Sequence, residues 1–316
     1  MKLQPTGMFD NSSKAYDHIT VTPLASAMGA KISGVDLGKL ADAQFVEIAD
    51  ALYRHKMIYF RDQLISHADQ EAFTLRFGEF GTDAYTTGLP GHPNVQPVIK
   101  EAETRVKMIF GDGWHTDSPF LKRPPSISML HGTDIPPYGG DTIWANTELA
   151  YDCLSDAMKS MLAPLKIHMS AIETVTVLAE MNRPNGEVDS NSGNTNDKHS
   201  PRTRLGDIEL DVERQSMIEG SYHPLVRTHP TTGKKSLYVE QTYSQGLEGM
   251  IAEESKPLLE FLLAHVTQPS FTCRLRWKKN TFAMWDNRNC IHHAFNDYDG
   301  YRREMYRTTV LGEEPI

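Results

Sequence analysis

The 316-residue chain is built from short strand-like runs that do not take turns with helices, and this pattern narrows its fold more than any other feature. Ile19–Leu24, Ala30–Leu37 and the bulky run Met57–Phe60 open the series; a strand near Val95–Ile99, then Ser126–His131, the run entered from Gly139-Gly140, and residues 166–173 continue it. Residues 223–239 read as a hairpin turning at Thr232-Gly233. Phe271–Trp277 alternates as a half-buried strand, and Thr281–Trp285 and Arg303–Leu311 close the chain around the turn Asn296–Gly300. Helices are predicted at 41–55, where Phe45, Ile48, Ala49 and Leu52 recur at helical spacing, and from Ser66, with Asp69 as capping partner, to Gly78. Two more are predicted, from Asn146 or Thr147 to about Leu162, and over Glu253–His265, with Pro257 in the first turns. A doubly wound parallel sheet needs strand and helix to alternate, and here they do not. The fold class that fits is mainly β with flanking helices, its core a double-stranded β-helix (jelly roll).

Charge and composition remove several functions. Formal net charge is −9 and no long basic run occurs, so neither nucleic acid nor an anionic membrane is an expected partner. Cys153, Cys273 and Cys290 are widely spaced and form no CxxC, which indicates neither a disulfide framework nor a zinc site and fits a cytoplasmic location. The opening MKLQPTGMFDNSSK has no apolar segment of signal-peptide type, and nothing downstream approaches a membrane-spanning run. Residues 1–316 are read as a single domain. Its most polar stretch, 183–205, is expected to be a flexible insertion extending to about 220, either a lid or a surface excursion.

Chemistry concentrates in Trp114-His115-Thr116-Asp117 and in Trp285-Asp286-Asn287-Arg288-Asn289-Cys290-Ile291-His292. On an extended backbone residues i and i+2 share a face, so His115 and Asp117 converge on one point. One imidazole and one carboxylate are two thirds of the facial triad that suits Fe(II) and leaves positions open for substrate and O2. The third ligand is His292 or His293; spacing does not choose between them. On the last strand Arg303, Met305 and Arg307 share a face. Buried guanidinium groups need anions, and their planar forks match carboxylates, so a metal with two acidic ligands is indicated. A zinc hydrolase using the same ligands would leave Arg303 and Arg307 without a role. A binding protein that kept the fold and lost the chemistry would be expected to lose a ligand or an arginine.

These motifs resemble the Fe(II)/2-oxoglutarate-dependent taurine dioxygenase/TfdA family over most of the chain. The resemblance is carried by Trp114–Asp117, Gly139-Gly140-Asp141-Thr142, His223-Pro224-Leu225-Val226-Arg227-Thr228-His229-Pro230, Trp285–Arg288 with His292, and Arg303 with Arg307. The stretches Glu248-Gly249-Met250, Glu254–Leu259 and Phe271–Arg274 look closest to its phenoxypropionate (aryloxyalkanoate) dioxygenases. The resemblance implies that His115, Asp117 and His292 are the catalytic iron ligands, and that Thr142 and Arg303 hold the far carboxylate of 2-oxoglutarate. It implies that Arg307 holds the acidic group of a small anionic organic substrate, with succinate and CO2 released. Asp83 falls near the position where taurine and alkylsulfate dioxygenases carry a histidine that contacts the sulfonate or sulfate. Asp83, Tyr85 and Tyr243 are the further expected substrate contacts, with Thr86 a neighbour. A carboxylate at Asp83 would repel a sulfonate, so an aryloxyalkanoate-like carboxylate is the first expectation and an alkylsulfonate or alkyl sulfate ester the second. Family members are commonly oligomeric, so a homo-oligomer is expected.

Overall fold

Seven strands lie side by side in the larger sheet, in the order Thr20–Pro23, Ala30–Ser33, Met57–Phe60, Thr281–Asp286, Ile127–Asp134, Arg303–Val310, Gln96–Lys100. All neighbours run antiparallel except Ala30–Ser33 with Met57–Phe60. A smaller sheet, Thr272–Leu275, Thr142–Asn146 and Cys290–Ala294, faces its interior side, and the rings of Trp144 and Trp285 meet between the two at 5.7 Å. The computed structural model describes residues 7–82, 84–86, 88–105, 111–181, 203–205, 208–210 and 214–316. This is the expected jelly-roll core. Among the described residues no helix is long and apolar enough to cross a membrane.

The central strand Thr281–Asp286 is buried at every position, which is why it reads as an unbroken apolar run. Phe282 and Met284 pack outward with Ile58, Phe60 and Met129 against Ile48, Leu52 and Phe73 of the helices Asp42–His55 and His67–Leu75. Ala283 and Trp285 pack inward with Met57, Tyr59, Leu130 and Met305. On the neighbouring strand Arg303, Met305 and Arg307 are buried while Glu304 and Tyr306 are half-buried, so the two arginines share the interior face with Met305.

Several boundaries differ from the periodicity. The strand from Ala30 ends at Ser33, because Asp36 caps a 3-10 turn, Leu37–Lys39, by accepting from the Gly38 N–H at 3.0 Å. Ser66 and Asp69 do form a capping box, with bonds of 3.1 and 2.9 Å. That helix stops at Leu75, where Arg76 and Phe77 bond three residues back and tighten the last turn. The single helix expected over 146–162 is two, Thr147–Asp152 and Asp156–Leu162. Asn146 accepts from Leu149 N at 2.9 Å to start the first, and Ser155 accepts from Met158 N at 3.2 Å to start the second.

The remaining strands bracket the site from the side. Lys166–Met169 lies between Ser221–Pro224 and Ser244–Leu247, and Val226–Thr228 pairs with Lys235–Leu237 around Gly233 at φ +69°, the expected hairpin. Within 183–220 the described residues form a hairpin, Thr203–Leu205 with Ile208–Leu210, and a helix, Arg214–Glu219, whose Met217 joins the interior cluster. The rest of the expected insertion lies outside the described residues.

Candidate active site

His115 and Asp117 were expected on a strand, but their segment is irregular. Gly111 and Gly113, at φ +89° and +81°, turn the chain into it. His115 alone makes an antiparallel bridge, exchanging backbone bonds of 2.9 and 2.7 Å with His292. That bridge sets the two imidazoles side by side, ring centroids 4.1 Å apart. His115, Asp117 and His292 each offer a ligand atom, all within 4.8 Å of one another, and all three side chains are buried. The strand Cys290–Ala294 turns His293 the other way, where it is half-buried with its Nε2 3.9 Å from Asp112.

Hydrogen bonds fix each of the three. Gly113 C=O is 2.9 Å from His115 Nδ1, leaving Nε2 toward Asp117 at 3.9 Å. Ser128 Oγ donates to the other Asp117 oxygen, Asn287 Nδ2 donates to Ser128 at 2.9 Å, and Trp285 Nε1 donates to Asn287 at 3.0 Å. This chain of donors orients the carboxylate from below. Burial lowers the pKa of His115 and lowers that of His292 well below its ordinary value. For Asp117 burial would raise the pKa, but the Arg307 guanidinium, with the Ser128 hydrogen bond, holds the carboxyl below the ordinary range. Two neutral imidazoles and one ionised carboxylate are the donor set a divalent metal needs. Nδ1 of His292 is buried and has no hydrogen-bond partner among the described residues. The residues present therefore fit an iron ion.

A second group fits an acidic cosubstrate. Thr142 and Arg303 are buried, and Arg303 takes part in no ion pair among the described residues. Its Nε lacks an acceptor and its guanidinium carbon lies 5.9 Å from the Trp277 ring and 5.8 Å from that of Tyr298. Burial lowers its pKa, opposed by the Tyr298 phenol and Asp141. A buried cation in aromatic surroundings, without a carboxylate, is a cradle for one.

Arg307 donates to Asp117 Oδ1 at 3.3 Å. Three aromatic residues form a wall: Tyr85 donates to the Tyr243 hydroxyl at 2.8 Å, and Phe120 packs edge-on against Tyr85 and Tyr243 at 5.8 and 5.1 Å. Burial is the first cause of Tyr243's raised pKa, and the charges of Asp117 and Arg307 also reach it. Asp83 lies outside the described residues.

Sequence reasoning assigned no role to Ser128, Asn287, Trp277, Tyr298, Phe120 or Glu240. Asn287 was flagged within Trp285–Arg288, a signal that could have found it; the others carry no local mark. The His223–Pro230 motif acts as bracing. His223 Nε2 lies 2.8 Å from Pro119 O, tying down the loop after Asp117, and His229 bonds Asp286 at 2.8 Å beside the bidentate Arg288. Glu240 is buried and accepts from the N–H groups of Thr242 and Tyr243 at 2.7 and 2.6 Å, shaping the turn that carries Tyr243. Gln241 N then donates to Trp114 O at 2.8 Å, which ties the turn to the His115 segment.

The chain as a whole is similar to known proteins. The family model described as taurine catabolism dioxygenase TauD, TfdA family matches residues 20–309. An alpha-ketoglutarate-dependent sulfate ester dioxygenase of Pseudomonas putida is 32% identical over 94% of this chain and 91% of its own. An alpha-ketoglutarate-dependent 2,4-dichlorophenoxyacetate dioxygenase of a Burkholderia species is 30% identical over 87% and 88%. The crystal structure of AAD-2 in complex with Mn(II) and N-oxalylglycine superposes with a TM-score of 0.70 at 28% identity, covering 94% of this chain and 98% of that one.

Proposed function

Since the chain belongs to the TauD/TfdA dioxygenase family and is an Fe(II)/2-oxoglutarate-dependent dioxygenase, we propose that it hydroxylates a small organic carboxylate of aryloxyalkanoate type. On this reading His115, Asp117 and His292 hold the iron, Thr142 and Arg303 take the far carboxylate of 2-oxoglutarate, and Arg307 takes the substrate's acidic group. Iron, cosubstrate and O2 together supply oxidative decarboxylation to succinate and CO2 with transfer of one oxygen atom to the substrate. The chain's own residues bind, orient and exclude water. Ser128 and Asn287 hold the Asp117 carboxylate in one orientation, and the bracing through His223 and Asp286 keeps the surrounding loops in place.

What supports the substrate class is Arg307 beside Asp117 together with the Tyr85–Phe120–Tyr243 cluster, whose Tyr243 feels the charges of both. A guanidinium fork and a flat aromatic wall together suit an anion attached to a planar apolar group. Asp83 is the expected selectivity element against sulfonates. A hydroxyl delivered to a carbon that bears the ether oxygen would collapse to a carbonyl and release the aryl fragment. A second reading, an alkyl sulfate ester, is favoured by the 32% identity to the sulfate ester dioxygenase.

The test is succinate formation by anaerobically iron-loaded protein given 2-oxoglutarate and O2 across carboxylates, sulfonates and sulfate esters. Aryloxyalkanoates should stimulate turnover most, and in Arg307→Ala their KM should rise about 10- to 100-fold, as for a lost charge-assisted pair. The KM for 2-oxoglutarate should stay within about two-fold, since uniform binding of the cosubstrate is untouched. Stimulation by sulfate esters alone would select the second reading.

A further inference from the structure

Thr142 and Arg303 share a neighbour that touches both. Trp277 follows the strand Thr272–Leu275, whose Leu275 is the register partner of Thr142, so the indole falls beside the threonine side chain. It is buried, and its Nε1 donates to Thr142 Oγ1 at 2.9 Å. The same ring lies 5.9 Å from the Arg303 guanidinium, with Tyr298 at 5.8 Å. We propose that Trp277 is a positioning residue for the cosubstrate, holding the Thr142 hydroxyl as a donor and the Arg303 guanidinium beside it. The proposal rests on the reading that Thr142 and Arg303 take the far carboxylate of 2-oxoglutarate.

The argument is one of donor and acceptor capacity. An indole N–H can only donate, whereas a threonine hydroxyl has one hydrogen and two lone pairs. By occupying one lone pair, Trp277 leaves the Thr142 hydrogen for an acceptor elsewhere. A carboxylate is acceptor-only, and a threonine turned to present its lone pair would repel it. Trp277 therefore sets the polarity of Thr142 before the ligand arrives. Its π face near Arg303 favours the cation without neutralising it, unlike a carboxylate neighbour, so the guanidinium keeps its capacity for the incoming acid. Gly140 packs closely on the same pair: a Cβ there would meet Tyr298 at 3.2 Å and Arg303 Nε at 3.4 Å.

Trp277→Phe keeps an aromatic ring and removes the N–H. Calorimetric titration of the Mn(II)-loaded protein should show the 2-oxoglutarate Kd raised about five-fold, the size of one hydrogen bond. In turnover, the KM for 2-oxoglutarate should rise alike, with the substrate KM and kcat changed less than about two-fold. A role confined to packing would lower the melting temperature without this split. In a Thr142→Val background, which raises the Kd by itself, Trp277→Phe should add nothing further, because the bond it removes is already gone. Equal effects on both KM values, or additivity with Thr142→Val, overturn the proposal. Should Trp277→Phe not fold, Trp277→His keeps a ring N–H donor, and a Kd raised by about five-fold or more there also overturns it. If Thr142→Val and Arg303→Leu leave the 2-oxoglutarate Kd unchanged, it is the underlying reading of that pair that fails.

Discussion

Arg303 and Arg307 stand on one face of one strand, about 13 Å apart at the usual rise, and their surroundings are opposite in kind. Arg303 sits among packed strand residues, near the rings of Trp277 and Tyr298, with no ion pair among the described residues and a pKa lowered by burial. Arg307 shares its charge with Asp117, the carboxylate of the candidate metal centre, and its charge reaches Tyr243 of the Tyr85–Phe120–Tyr243 wall. The difference teaches that similar side chains on one strand can be given separate tasks by what packs beside them. The Arg303 end is a fixed cradle with an unspent cation, suited to a ligand that never changes. At the Arg307 end, anything that binds the arginine also alters the charge balance at Asp117, so ligand and metal centre are coupled.

The largest effects come from removing each charge. Arg303→Leu should weaken 2-oxoglutarate binding about 100-fold and leave the substrate KM within about three-fold, and Arg307→Leu should do the reverse. Stability should separate them too. Arg303→Leu replaces a buried cation that has no ion pair among the described residues and should not lower the melting temperature, whereas metal-free Arg307→Leu leaves Asp117 without its nearest guanidinium and should lower it. The same kinetic signature in both variants would break the comparison.

A smaller effect lies on the Arg307 side, at Glu240 beneath Tyr243. Burial pushes its carboxyl up to about 8 from an ordinary 4.5, against the N–H donors of Thr242 and Tyr243. The folded chain thus keeps a proton that the unfolded chain releases. Its contribution to stability is full below the unfolded value, declines as pH rises from 4.5 to 8, and is level above. The slope is at most about 1.4 kcal/mol per pH unit. Urea denaturation between these limits should show the decline in the wild type and a flatter profile in Glu240→Gln; an identical slope in both would remove Glu240 from the account.

The smallest effect sharpens the Arg303 side. Gly140 has φ +65°, where a side chain costs about 1–2 kcal/mol, and an added Cβ would press on Tyr298 and Arg303. Gly140→Ala should weaken 2-oxoglutarate binding several-fold and spare the substrate KM; a change confined to the substrate would show that the cradle is not where Arg303 sits.

Much of this was legible locally. The apolar spacing of Phe45, Ile48 and Leu52 gives the helix Asp42–His55, and Ser66 with Asp69 gives the start of the next. The break at Ser155 is equally a local capping signal, since its hydroxyl accepts from Met158 N. Asn287 lay inside a flagged motif, but its bond to Ser128 joins residues far apart in the chain, as does that of Trp277 to Thr142. No local pattern carries such pairs. The motif around His223 and His229, which carries the family resemblance, braces the site.

By itself the sequence determined the jelly-roll class, the ligand types, and the inward face shared by Arg303 and Arg307, because period and residue chemistry report which way a side chain points. The tertiary structure decided which groups meet. The bridge of His115 to His292 chose that histidine over His293, the register of Leu275 on Thr142 brought Trp277 to the threonine, and the pairing of Arg307 opposite Leu130 set the guanidinium beside Asp117. Facing is a property of a few consecutive residues; distance between elements depends on sheet register, which only the packing of the whole chain fixes.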